Sequence, residues 1–159
     1  MTQHSEAIPL SKAVEFLLEE CRMVLPGIQA LFGFQLIAVF NSSFTERLTP
    51  GEQRLHLVAI ALVVVAIALI MTPAAFHRQQ DSRRVTARML ALSTRLLLWS
   101  MGPLAVGICL DLYLVARLIA GSRAAALLAG LVFAVFLTLW VALPRIQRLS
   151  RWVSNTSQS

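Results

Sequence analysis

The chain has 159 residues, 57% of them hydrophobic and only 14% charged, with a net charge of +6. Soluble domains usually carry about 25% charged residues, so this composition, with a mean hydropathy of +0.72, excludes an ordinary soluble fold and points to a membrane protein. Of the 14 basic residues 13 are arginine. They flank apolar runs, which suits orientation in a bilayer and argues against a nucleic-acid partner.

In chain order, residues 1–22 read as a cytoplasmic N-terminal segment. Glu6, Glu15, Glu19 and Glu20 interrupt any apolar core, and no basic region precedes one, so it does not resemble a signal peptide. Within residues 10–24 (LSKAVEFLLEECRMV), Val14, Leu17, Leu18, Cys21 and Val24 recur at helical spacing while Glu15, Glu19 and Glu20 occupy much of the rest. That pattern predicts a short amphipathic helix along the interface. Anionic lipid repels its acidic face, so the glutamates are expected to meet the arginines of the 78–88 loop or of the tail, or to dock another membrane protein.

A hydrocarbon core of about 30 Å needs roughly 20 apolar residues in a helix. Four runs qualify, at about 23–44, 55–76, 96–119 and 124–143. Backbone groups cannot stay unpaired in lipid, so the spans are expected to be helices. Residues 23–145 are thus predicted to be an all-α, integral membrane four-helix bundle, with 146–159 a cytoplasmic tail. Four spans put both termini and the middle loop on one side. That side holds Lys12, Arg22, Arg78, Arg83, Arg84, Arg88, Arg145, Arg148 and Arg151, and the other only Arg47, Arg54 and Arg123. Nine against three predicts cytoplasmic termini. It also argues against small exporters that dimerise with mixed topology, which need balanced charge. Pro26 and Pro103 near the inner starts of the odd spans, with Pro73 and Pro144 near the inner ends of the even ones, suggest a duplicated hairpin or simply proline at helix ends. Cys21 and Cys109 lie too far apart, in the wrong setting, for a disulfide, and no metal-ligand spacing occurs.

Ionisable residues within a span are functional candidates by default. In GICLDLYLVARLIAG, residues 107–121, Asp111 lies roughly 6–12 Å below the outer end of the third span. Gln35 and Asn41 bracket that depth, and His56 enters at the outer end of the second span, so these four are the candidate transport or ion-binding residues. Asp111 and Arg117 sit about 240° apart around a helix. Arg117 is expected to align with Tyr113 and snorkel outward, and Asp111 to find its partner on another helix or subunit. Asp111 then either ties the bundle together through Gln35 or Asn41 or binds a proton or cation; a misplaced span would put it at the interface. Glu19, Glu20, Arg22, His77, Arg78 and Arg95 form a predicted polar belt at the cytoplasmic edge, pairing ions or holding a lipid headgroup. His56 and His77 are about 31 Å apart along one helix, which argues against a shared haem, and no cofactor is expected.

Two stretches, ECRMVLPGIQALFGFQLIAVFNSSF and RLHLVAIALVVVAIALIMTPAAFHR, resemble an uncharacterised family of small bacterial four-span membrane proteins. The residues that carry the likeness are Arg22, Pro26-Gly27, Gln29, Phe34-Gln35, His56 and the PAAFHR of 73–78, within residues 20–78. The resemblance implies a bacterial inner-membrane location and four helices, and supplies no activity, cofactor or catalytic residue.

Small residues are expected to set the packing. Ala126, Gly130 and Ala134 make two small-xxx-small steps in the fourth span, and Ala59, Ala66 and Pro73, like Ala61, Ala68 and Ala75, recur every seven residues in the second. A four-span chain has little interior, so a homo-oligomer in the lipid bilayer is predicted. No Ser/His/Asp set, paired carboxylates, HExxH or phosphate loop appears, which argues against an enzyme. The expected function is a non-enzymatic oligomeric or accessory membrane component, and the alternative is a channel or transporter that uses Asp111 in an oligomeric pore.

Overall fold

The computed structural model describes residues 9–79, 87–143 and 145. These residues form α1 (Leu10–Val39), α2 (Ser42–Arg47), α3 (Pro50–Gln79) and α4 (Ala87–Leu137), and the last runs into a π-helical turn at Thr138–Ala142. The architecture is all-α. Three helical runs, Lys12–Val39, Pro50–Phe76 and Ala87–Ala142, are long and apolar enough to cross a membrane.

The amphipathic segment ahead of the first span is not a helix of its own. It forms the first turns of α1, whose 30 residues extend about 45 Å. At its other end α1 stops at Val39 rather than running on to Phe44. Phe40 and Asn41 close the helix by bonding the carbonyls of Ile37 and Ala38, and the Asn41 side chain accepts from the Ser43 N–H at 3.0 Å to start α2. Asparagine and serine compete well for backbone groups, which makes the NSS stretch a cap and not a span end.

The third and fourth spans were expected as separate helices. They are two limbs of one run, 87–137, joined at a kink where Gly121 has φ 81° and ψ 169°. A positive φ is open to glycine at little cost. The two limbs of α4 fold back on each other there, for residues 98–106 and 133–141 line the same cleft. Pro26, Pro73 and Pro103 lie inside helices and not at their ends, so each frees a carbonyl four residues earlier, those of Arg22, Leu69 and Trp99. The π-helical turn begins at Thr138, whose hydroxyl donates to the Ala134 carbonyl at 2.7 Å, and side chains inserted into the helical ladder are a known cause of such irregularity.

The inward residues of α3 are Glu52, His56, Ala59, Val63, Ala66, Ile70 and Pro73, alternating steps of four and three. Ser93, Ser100, Gly107 and Leu114 of α4 are buried at intervals of seven. Such a repeat keeps one seam of each helix facing its neighbour. Small residues at its centre bring α3 and α4 close: a Cβ on Gly107 would stand 3.1 Å from Val63 Cγ2 and 3.2 Å from the Ala59 carbonyl oxygen. Leu17, Cys21 and Ile28 of α1 complete the core with Val63 and Ile70. The opposite faces are apolar and open, with Phe34, Ile119 and Leu127 at 71%, 83% and 76% exposure, the distribution of a protein whose solvent is lipid.

Candidate functional site

The α3 stripe changes from small and aliphatic to polar at one end, where α1 stops and α3 begins. TPGE, residues 49–52, is responsible for the first part of that change. Pro50 occupies the first helical position, and Glu52 reaches back so that its Oε2 accepts from the Thr49 N–H at 2.8 Å and from the Thr49 hydroxyl at 2.7 Å. This is the glutamate half of a capping box, with proline where its missing N–H costs nothing. The same turn aims Glu52 inward, where its Oε1 forms an ion pair with Arg117 of α4.

One turn deeper, His56 points at α4 and α1 together. Its Nδ1 lies 2.9 Å from Asp111 Oδ1 and its Nε2 lies 3.0 Å from the Gln35 main-chain oxygen. Gln35 closes the ring by donating from Nε2 to Asp111 Oδ2. Three helices thereby meet in one polar set. Because α3 and α4 are antiparallel, residues 52 and 117 pair above 56 and 111, and the Gly107–Val63 contact lies below both.

Both nitrogens of His56 face oxygen. A neutral imidazole offers one donor and one acceptor, so the set needs one proton on the line between Nδ1 and Asp111 Oδ1. Written as imidazolium with carboxylate, or as imidazole with carboxylic acid, the pair has no net charge, and its burial avoids the cost of an isolated ion. Glu52 and Arg117 form a second neutral pair. Gln35 and His56 are buried and Asp111 is half-buried. The ring of Phe44 from α2 stands edge-on to His56, with centroids 5.3 Å apart. A cleft of about 370 Å³ opens over the set, between α1 and α4 with α2 at its rim.

The four outer-half candidates thus separate. Gln35, His56 and Asp111 bond to one another, whereas Asn41 lines the cleft but uses its side chain to cap α2. Arg117 does not simply snorkel beside Tyr113, because Glu52 on α3 is within reach. Sequence reasoning passed over Glu52, although the T-P-G-E signature marked it as a helix start and it stands four residues before the candidate His56. At the other end of the bundle Glu19, Glu20, Arg22, Arg78 and Arg95 are exposed, and among the described residues no ion pair joins them. The His77 side chain, the loop arginines Arg83 and Arg84 and the tail lie outside the described residues. Ala126, Gly130 and Ala134 are exposed among the described residues, as are Ala61, Ala68 and Ala75; of the α3 rows it is Ala59, Ala66 and Pro73 that turns inward. Among the described residues no three His, Cys, Asp or Glu side chains converge as metal ligands.

These features define an α-helical membrane protein with a neutral polar set inside its bundle. Residues 5–144 match the model of a family of unknown function, DUF6328, and the chain belongs to that family. No curated protein and no solved structure matches it.

Proposed function

We propose that the chain is a non-enzymatic component of the bacterial inner membrane, crossing it four times with both termini in the cytoplasm, and acting as an oligomeric or accessory subunit. The single observation that carries this reading is the closure of the His56–Asp111–Gln35 set within one chain. Both ring nitrogens and both carboxylate oxygens have partners there, so the set clamps α1, α3 and α4 and has no need of a transported ion. The nine-to-three distribution of Lys and Arg supports the orientation. The outward rows Ala126, Gly130, Ala134 and Ala61, Ala68, Ala75 supply surfaces on which a second copy can pack closely. The acidic turns of α1, with Glu15, Glu19 and Glu20 exposed, suit a partner protein better than anionic lipid.

One observation favours a second reading, a proton- or cation-conducting oligomer. Asp111 and His56 share a contact through which a proton can pass, and both line the open cleft. Purified protein in liposomes, assayed for H⁺ and K⁺ flux, separates the two. The structural reading expects no flux above empty vesicles and no difference between wild type and Asp111→Asn. A flux that Asp111→Asn abolishes while the bundle stays folded would establish conduction instead.

A further inference from the structure

The cleft over the polar set has a feature that the clamp does not use. Gln35 is only 4% exposed, and while its Nε2 donates to Asp111, its Oε1 is buried and, among the described residues, has no hydrogen-bond partner. Rotating the amide by half a turn does not remove the problem. It would set the amide oxygen against Asp111 Oδ2, acceptor against acceptor, and leave the Nε2 donor unmet as well. Buried polar groups left in this state are rare and costly.

We propose that this cleft is a binding site for a lipid-soluble alcohol or phenol, which enters sideways from the bilayer and hydrogen-bonds the Gln35 amide oxygen as that side chain turns toward the cleft it lines. A hydroxyl donates to the amide oxygen that the Asp111 contact leaves unmet. An anion would meet the Asp111 carboxylate, and a cation would find the His56–Asp111 pair already neutral. A neutral hydroxyl has neither difficulty. The walls are Leu31, Phe34, Phe44, Leu114, Val115 and Leu118, which match a ring or a short hydrocarbon chain. Phe34, Val115 and Leu118 are exposed on the outer faces of α1 and α4, and they leave the cleft open to the side. At about 30 Å³ for each water-sized group, a volume of about 370 Å³ holds roughly a dozen non-hydrogen atoms. The inference rests on the membrane setting and not on assembly, so it stands or falls apart from the flux result.

The test uses the full chain in lipid nanodiscs with ¹³C-labelled Leu and Val methyl groups, titrated with 4-pentylphenol and, separately, with pentylbenzene. Shifts at Leu114, Val115 and Leu118 should saturate at a membrane mole fraction of the phenol about tenfold below that of the hydrocarbon, the scale on which one satisfied buried hydrogen bond registers in affinity. Gln35→Met, apolar and of similar length, should bring the ratio close to one. Leu118→Trp, which fills the cleft from its outer wall and leaves the polar set intact, should abolish saturable shifts for both probes. If Gln35→Met does not fold, the wild-type ratio and Leu118→Trp decide the matter alone. Equal affinity for the two probes, as when a water already serves Gln35, or no saturable shift at all, overturns the proposal.

Discussion

Replacing Asp111 by leucine tests the clamp directly. The change removes two contacts, His56 Nδ1 to Oδ1 and Gln35 Nε2 to Oδ2, each joining different helices. In soluble proteins, breaking a buried pair costs about 3–5 kcal/mol. In a bilayer the unfolded helices also find polar partners, and measured interhelical contacts average about 0.6 and reach about 1.7 kcal/mol. The second scale governs here, so Asp111→Leu should cost about 1–3 kcal/mol. His56→Leu also removes two contacts, the shared one and that to the Gln35 carbonyl, and should cost about the same. The double variant loses three contacts rather than four, and no unpaired acid or imidazole is left behind. It should therefore be more stable than the sum of the single losses by at least one contact, about 0.6–1.7 kcal/mol. Reversible unfolding in mixed micelles, followed by circular dichroism at 222 nm, measures all four corners of the cycle. Strict additivity, or a negligible cost for both single changes, would refute the clamp.

Three further outcomes follow from the packing and the turns. Gly107→Ala puts a methyl group against Val63 and the Ala59 carbonyl and should destabilise the bundle by about 1–3 kcal/mol in the same assay, whereas Gly130→Ala, with none of the described residues within 4 Å of the added methyl, should leave it unchanged. Gly130→Leu should reduce cross-linked oligomer without altering helix content if that row is the contact between copies. Arg117→Gln strands the Glu52 carboxylate and should cost about 1–2 kcal/mol, reduced because Arg117 is partly exposed; adding Glu52→Gln should recover most of the loss.

Much of the membrane character was legible in the chain itself. Apolar runs of bilayer length admit only helices, because lipid offers no partner for backbone groups, and this follows from local composition without any knowledge of packing. The seven-residue rows in α3 were legible as well, but not which row turns inward: Ala59, Ala66 and Pro73 are buried while Ala61, Ala68 and Ala75 are not. In a segment apolar all round, hydrophobicity no longer distinguishes inside from outside, and only the neighbour's shape, here the missing Cβ of Gly107, makes the choice. Helix boundaries behaved similarly. The NSS cap and the TPGE box override a hydropathy window because they act through individual hydrogen bonds.

The site divides along the same line. Sequence and helical rise alone determined that Asp111 must find its partner off its own helix, and that Gln35 and Asn41 bracket its depth; His56, expected level with Arg117, instead lies level with Asp111. Only the tertiary structure decided that Gln35 and His56 are the partners, that Asn41 is spent on a cap, and that Arg117 is matched by Glu52. Depth along a helix follows from counting residues, but the direction of a side chain depends on helix rotation. That rotation is set where α3 and α4 close on each other at Ala59, Val63 and Gly107.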